Sequence, residues 1–382
     1  MEVYLDNAAT TKAAPEVVAA VMECMQENYG NPSSAHRLGV AAERVLKKTR
    51  ETLAAYLKVS PEEIVFTSGG TEANNLAIRG VLPFLRRFGR HIVTSSYEHP
   101  SVDKVMQALQ QEGWEVTFIP GNREGSVKEE ELLAVLRPDT VLVSIMHVNN
   151  ETGAINDVVS LGELVKQRAP RALFHVDAVQ SFGRVPVDIE KGKIDLLSLS
   201  GHKIHGPKGI GALYVRRGVK LKPLLLGGGQ ERDLRSGTEN VPAIAGLGRA
   251  VELLDKESVG RMMAFKLKLA EGIKAVCPEA KVNGPPPAAG APHILNISFP
   301  GFRGEVLLHA LEEKGIYVST GSACSSRKEA VSRVLKNMGL PRDLLYGAIR
   351  FSFSPYNTEA EIDYVLERLQ EVVKELALFR RR

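Results

Sequence analysis

Four short stretches of this chain combine residue types that could do chemistry. In "SGHKIHGPKGIG", residues 200–211, Lys203 follows the apolar run "IDLLSLS". A lysine at the carboxyl end of a buried strand is desolvated, which lowers its pKa and makes its amine a nucleophile toward aldehydes. In "ALFHVDAVQ" Asp177 lies within another apolar run. A carboxylate is costly to bury there unless a cation sits beside it, so a positive group is expected next to Asp177. In "IVFTSGGTEANN" a strand pattern passes through Ser68, Gly69, Gly70 and Thr71 into a helix pattern, which offers free N–H groups and hydroxyls to a phosphate. The fourth stretch is "YVSTGSACSSRKEA", residues 317–330, where Cys324 stands among loop-forming residues. Cysteine is usually a small buried apolar residue, so this thiol is either incidental or working.

Further candidates fall where strand patterns end, the place at which open sheets present ligand-binding groups. These are His99 in "SSYEHPS", Asn149 and Asn150 in "HVNNETG", Gln180 after Asp177, and Ser200 and His202 beside Lys203. A lone histidine is more often structural, so His99 counts only in this company. Neither the Walker pattern nor G-x-G-x-x-G occurs, which weakens nucleotide hydrolysis. A lysine for an imine, an acid for a pyridinium nitrogen and a helix N-terminus for a phosphate suit pyridoxal 5'-phosphate better than other common cofactors.

These residues need elements to position them. From about residue 60 to 220, β-rich runs alternate with amphipathic helical stretches, the pattern of a mostly parallel sheet. The strand candidates are "EIVFTSGG", "HIVTSSYEH", "EVTFIP", "TVLVSIMHV", "ALFHVDAV", "IDLLSLSG" and "GALYVRR". A helix is expected from Pro15, and a long helical stretch from about Val241 to Ala275. The Pro/Gly-rich "NGPPPAAGAP" at 283–292 then reads as a break. The expectation is an α/β protein: a large domain, 15–260, holding a seven-stranded sheet flanked by helices, and a smaller α+β domain from 1–14 and 261–382.

Bulk composition agrees with a globular soluble protein. The 382 residues, 44% hydrophobic and 25% charged, suffice for about two domains. A net charge of +4, with basic and acidic residues interleaved, gives no support to nucleic-acid binding. No run nears the roughly 18 apolar residues of a membrane span, and "MEVYLDNAATT" lacks the marks of a secretory leader, so a cytoplasmic location is expected. Cys24, Cys277 and Cys324 have no C-x-x-C pairing or zinc spacing, which argues against a disulfide framework and a metal site. Cys24 lies on the apolar face of a helical pattern and Cys277 at a helix end, both structural positions.

The order of motifs along nearly the whole chain resembles the cysteine desulfurases of the NifS/IscS group, within the class-V aminotransferase family of fold-type I pyridoxal phosphate enzymes. The resemblance rests on "YLDNAATT", "YGNPSSAHRLG", "FTSGGTEANNLAI", "EHPSV", "HVNNETG", "HVDAVQ", "SGHKIHGPKGIG", "GGGQERDLRSGTEN", "STGSACSS" and "AIRFSFS". It implies that Lys203 is the Schiff-base lysine, that Asp177 partners the pyridinium nitrogen, and that His99 stacks over the ring and moves protons. Gln180 and Asn150 would lie near the ring hydroxyl, and Gly70, Thr71, Ser200 and His202 at the phosphate. Thr238 would reach the phosphate of a neighbouring subunit, which implies a homodimer. Arg350 would bind the substrate carboxylate, with Asn150 nearby, and Cys324 would be the nucleophile that accepts sulfur from L-cysteine.

The resemblance further implies a sulfur acceptor or iron–sulfur scaffold protein as partner, and a mobile loop around Cys324. The chain departs from the housekeeping IscS pattern in reading "SSRKEAVSRVLKNMG" after Cys324, without Leu-Glu-Pro, and in Gly201 where a second serine is frequent. The first departure bears on the docking partner. Competing readings are a transaminase of the serine–pyruvate type, a selenocysteine lyase, and a catalytically silent scaffold. The transaminase has no need of Cys324, and the scaffold no need of a buried lysine and aspartate.

Overall fold

The computed structural model describes residues 1–320 and 331–378. The chain opens with β1 (Val3–Tyr4), α1 (Pro15–Glu27) and α2 (Arg37–Leu57). Pro15 occupies the first position of α1, where a missing N–H costs nothing. The expected alternation then follows: β2 (Ile64–Thr67), α3 (Gly70–Leu85), β3 (His91–Ser95), α4 (Pro100–Gln111), β4 (Glu115–Ile119) and α5 (Glu129–Val135). It continues through β5 (Thr140–Met146), α6 (Val158–Arg168), β6 (Leu173–Asp177), β7 (Leu196–Ser200) and β8 (Gly211–Val215).

Strands β2 to β8 form one sheet in the order β2-β8-β7-β6-β5-β3-β4. β8 is antiparallel to β2 and β7, and the other pairs are parallel. Every residue of β3, β5, β7 and β8 is buried, as the near-continuous apolar runs of a sheet covered on both faces require. One face packs Val17, Leu53, Leu161 and Leu247 from α1, α2, α6 and α7 (Val241–Glu252) against strand residues such as Val143 and Phe174. The other packs Leu76 and Val81 of α3 and Val105 of α4 against Leu142 and Leu196.

After α7 come α8 (Lys256–Val276), β9 (Lys281–Val282), β10 (Ile294–Ser298), α9 (Gly304–Glu313) and β11 (Ile316–Tyr317). The chain ends with α10 (Arg333–Asn337), α11 (Arg342–Tyr346), β12 (Ala348–Ser352) and α12 (Glu359–Ala377). β10 pairs antiparallel with β9 and β12, and β1 pairs in parallel with β11. A second hydrophobic core forms here, and it takes in Val3 and Leu5 from the N-terminus with Leu269, Phe299, Phe351 and Leu369.

Two expectations from the sequence are corrected. The helix expected from Val241 to Ala275 is two helices, because the Asp255 side chain accepts from the N–H groups of Glu257 and Ser258 and caps a new start. α7 packs on the large sheet while α8 packs in the second core, so the two diverge. The stretch 283–292 is not a separating linker either. Asn283 donates to Asn296 Oδ1 and Ser298 Oγ, both at 2.7 Å, and the Ala291 N–H reaches Gly153 O at 2.8 Å. No helix among the described residues is long and apolar enough to cross a membrane.

Candidate functional site

A cavity of about 510 Å³ opens at the carboxyl ends of β5, β6 and β7. Its walls bring together His99, Gly70, Thr71, Asn150, Asp177, Gln180, Ser200, His202, Lys203 and Arg350, which are scattered over 281 positions of sequence (70 to 350). Thr238 lies elsewhere, exposed in the segment between β8 and α7. Cys324 and the loop expected to move with it fall outside the described residues.

Lys203 sits in a short turn just past β7. Its Nζ donates to the carbonyls of Ala8 at 2.6 Å and Ala9 at 2.8 Å, so the N-terminal segment forms one side of the site. Burial lowers its pKa to about 7, with Arg350 and Arg184 pushing the same way and Asp6 and Asp177 opposing. The amine is therefore partly neutral near neutrality, as a nucleophile must be.

Asp177, 4% exposed, ends β6. Two neutral donors bind it, Asn74 Nδ2 at 2.7 Å from Oδ2 and the Val179 N–H at 2.9 Å from Oδ1, and Lys203 lines the same cavity. Hydrogen bonds from these donors replace the water that burial removes from the side chain. Gln180 donates to Ala8 O at 2.9 Å and faces His293 Nε2 at 3.3 Å.

The phosphate cradle takes shape at the start of α3. Gly69 precedes the helix with φ of 151°, a conformation open to glycine, and a Cβ on Gly70 would lie 2.6 Å from Val179 Cγ2. Ser200 Oγ is buried on the same cavity wall without a hydrogen-bond partner among the described residues. A buried hydroxyl without a partner is rare and marks a place for a ligand atom. Lys208 also lines the cavity. His202 Nδ1 lies 3.1 Å from Thr10 Oγ1, and burial with the neighbouring Lys203, Lys208 and His99 lowers its pKa to about 4. The glycine-lined cradle, the orphan hydroxyl, the depressed lysine and the Asp177 carboxylate fit pyridoxal phosphate at its phosphate, aldehyde and ring nitrogen.

Across the cavity, Arg350 extends from β12. It donates from Nη2 to Asp6 Oδ1 and from Nη1 to Asn150 O, both at 2.8 Å, while its Nε is buried without a partner among the described residues. His99 caps α4 and is held by Ser101. Its pKa is lowered, first by burial, with Asp177 opposing and Lys203 and Arg333 adding to the depression.

Sequence reasoning missed Asn74, Ser101 and Asp6. Asn74 stands one helical turn after Gly70, so the register of α3 could have pointed it toward the same cavity. Asp6 carried no local signal, because its partner is 344 residues away.

The family model described as aminotransferase class-V matches residues 3–365. The cysteine desulfurase of Trichormus azollae is 46% identical over 98% of this chain and 93% of its own length. The cysteine desulfurase IscS of Methanosarcina thermophila is 45% identical over 98% and 92%. Among solved structures, a NifS-like protein superposes with a TM-score of 0.92 at 41% identity, covering 98% of this chain and all of that one. The family uses pyridoxal 5'-phosphate, the cofactor whose parts the cavity fits.

Proposed function

Since the chain belongs to the class-V aminotransferase family, we propose that it is a cysteine desulfurase that takes sulfur from L-cysteine, releases L-alanine and carries the sulfur as a persulfide on Cys324. The observation that carries this reading is the half-buried Lys203, its pKa near 7, in one cavity with Asp177 and Arg350. Bound pyridoxal phosphate supplies the electron sink that makes the substrate's Cα–H acidic and its sulfur open to attack. Gly70, Thr71, Ser200 and His202 would hold its phosphate, Asp177 would pair with its ring nitrogen, and Gln180 and Asn150 would bind near its ring hydroxyl. Lys203 would be its attachment point, and the freed Nζ would take the α-proton. Arg350 orients the substrate carboxylate.

Cys324 acts as thiolate on the substrate sulfur. The carbon–sulfur bond breaks as a sulfur–sulfur bond forms, and the carbon keeps the electron pair and takes a proton to become the alanine methyl. The two cores support reading 15–260 as the cofactor domain and 1–14 with 261–382 as the smaller domain bearing Cys324. Thr238 is exposed in the segment that also exposes Leu224, Leu225 and Leu226, which supports a homodimer in which Thr238 meets the neighbouring cofactor's phosphate. The acceptor is an iron–sulfur scaffold or other sulfur carrier, in the cytoplasm.

A persulfide assay on wild type and Cys324→Ser, with cysteine and with selenocysteine, tests substrate, nucleophile and reaction class together. Full alanine production by Cys324→Ser would rule out transfer to this thiol. Borohydride trapping and peptide mapping must place the cofactor on Lys203, and label on another lysine would refute the assignment.

A further inference from the structure

His99 Nδ1 lies 3.1 Å from the backbone nitrogen of Ser101 and 2.8 Å from its Oγ. Asn74, 1% exposed, donates from Nδ2 to Ser101 Oγ at 2.9 Å and to Asp177 Oδ2 at 2.7 Å. One amide thus joins the histidine's support to the carboxylate across the cavity wall.

The direction of each hydrogen bond follows from what the groups can do. A backbone N–H only donates, so Nδ1 accepts, and a neutral imidazole then carries its hydrogen on Nε2. Turning the Asn74 amide over would set its oxygen against the Asp177 carboxylate, two acceptors face to face, so the donor orientation is fixed. Ser101 Oγ therefore accepts from Asn74 and keeps its own hydrogen for Nδ1.

We propose that Ser101 and Asn74 are positioning residues that lock His99 as its Nε2–H tautomer, so that it offers the cavity a hydrogen-bond donor and leaves the α-proton to Lys203. The inference rests on the proposed function only in naming that proton. An imidazolium would set an Nδ1–H against the Ser101 N–H, so the network holds His99 neutral. The charges facing the ring divide: Asp177 from β6 favours protonation, whereas Lys203 after β7 and Arg333 of α10 oppose it. His202 also stands near it.

The test uses the cofactor-free full chain labelled with 13Cδ2,15N-histidine, the His99 resonance being identified by its loss in His99→Gln. Wild type should show the Nε2–H form and remain neutral through the neutral pH range. Ser101→Ala should admit the Nδ1–H form and protonate at a higher pH, because one donor to the neutral ring is gone. Ser101→Thr keeps a hydroxyl and should restore the wild-type spectrum. With cofactor and cysteine, Ser101→Ala should lose about 3- to 10-fold in kcat at little change in KM, the worth of one hydrogen bond. An Nδ1–H ring in wild type, or a Ser101→Ala titration identical to wild type, overturns the proposal while leaving a desulfurase activity standing. The expected tautomers in a protein that releases no alanine from cysteine would uphold it and sink the functional reading instead.

Discussion

The Nζ of Lys203 lies 2.6 Å from the carbonyl oxygen of Ala8, contributed by a segment 195 residues earlier in the chain. Thr11 Oγ1 donates to His202 O at 2.9 Å, so the same segment also fixes the turn that carries the lysine. Two carbonyls give the ammonium a resting place, yet burial still lowers its pKa to about 7.

Cofactor uptake by the apo-protein should follow this titration. Only the neutral amine attacks an aldehyde, so lowering the pH below 7 should slow imine formation about tenfold per unit, and raising it above 7 should bring a plateau. Stopped-flow absorbance across about pH 5.5 to 9 reads this directly. A rate still climbing at the upper end would mean an ordinary solvated lysine.

Arg350 is held by Asp6 and by Asn150 O, which aims a planar fork at the cavity. Arg350→Lys keeps the charge and loses the two-point geometry. It should raise KM for cysteine by about 10- to 100-fold while kcat changes much less. Equal losses in both constants would move Arg350 from carboxylate binding to the chemical step.

Gly70→Ala would push a Cβ to 2.6 Å from Val179 Cγ2 at the cradle. Relieving that overlap shifts the first turn of α3 and costs about 1–3 kcal/mol, read as a roughly 5- to 150-fold weaker Kd for pyridoxal phosphate by absorbance titration. Unchanged affinity would show that the phosphate is held elsewhere.

Glu231 secures the segment that bears Thr238. It pairs with Arg50 through both oxygens, at 2.7 and 2.9 Å, and accepts the Phe66 N–H of edge strand β2 at 2.9 Å. Glu231→Ala leaves Arg50 and the strand N–H without their acceptor and should cost about 3–5 kcal/mol in urea unfolding. A loss below about 0.5 kcal/mol would class the pair with ordinary surface ion pairs.

Much of this site was legible in the residues because its chemistry is local. Five-residue, mostly apolar strands end at Asp177 and Ser200, and β–α turns need glycine and hydroxyls at 68–71. Those patterns reveal a sheet, its carboxyl edge and the candidates along it. Helix boundaries were less legible: the break at Leu253–Asp255 depends on α7 and α8 packing in different cores, which no periodicity records.

By itself, then, the sequence determined the seven strands, the class of cofactor and the candidate residues, since periodicity and turn chemistry act over a few neighbours. Only the tertiary structure decided what those residues touch. Asp177 meets Asn74, Arg350 meets Asp6, and Lys203 rests on Ala8, through contacts spanning 103, 344 and 195 residues. Such partners are chosen by how strands and helices pack, and a hydrogen bond formed across that distance leaves no periodic trace in the chain.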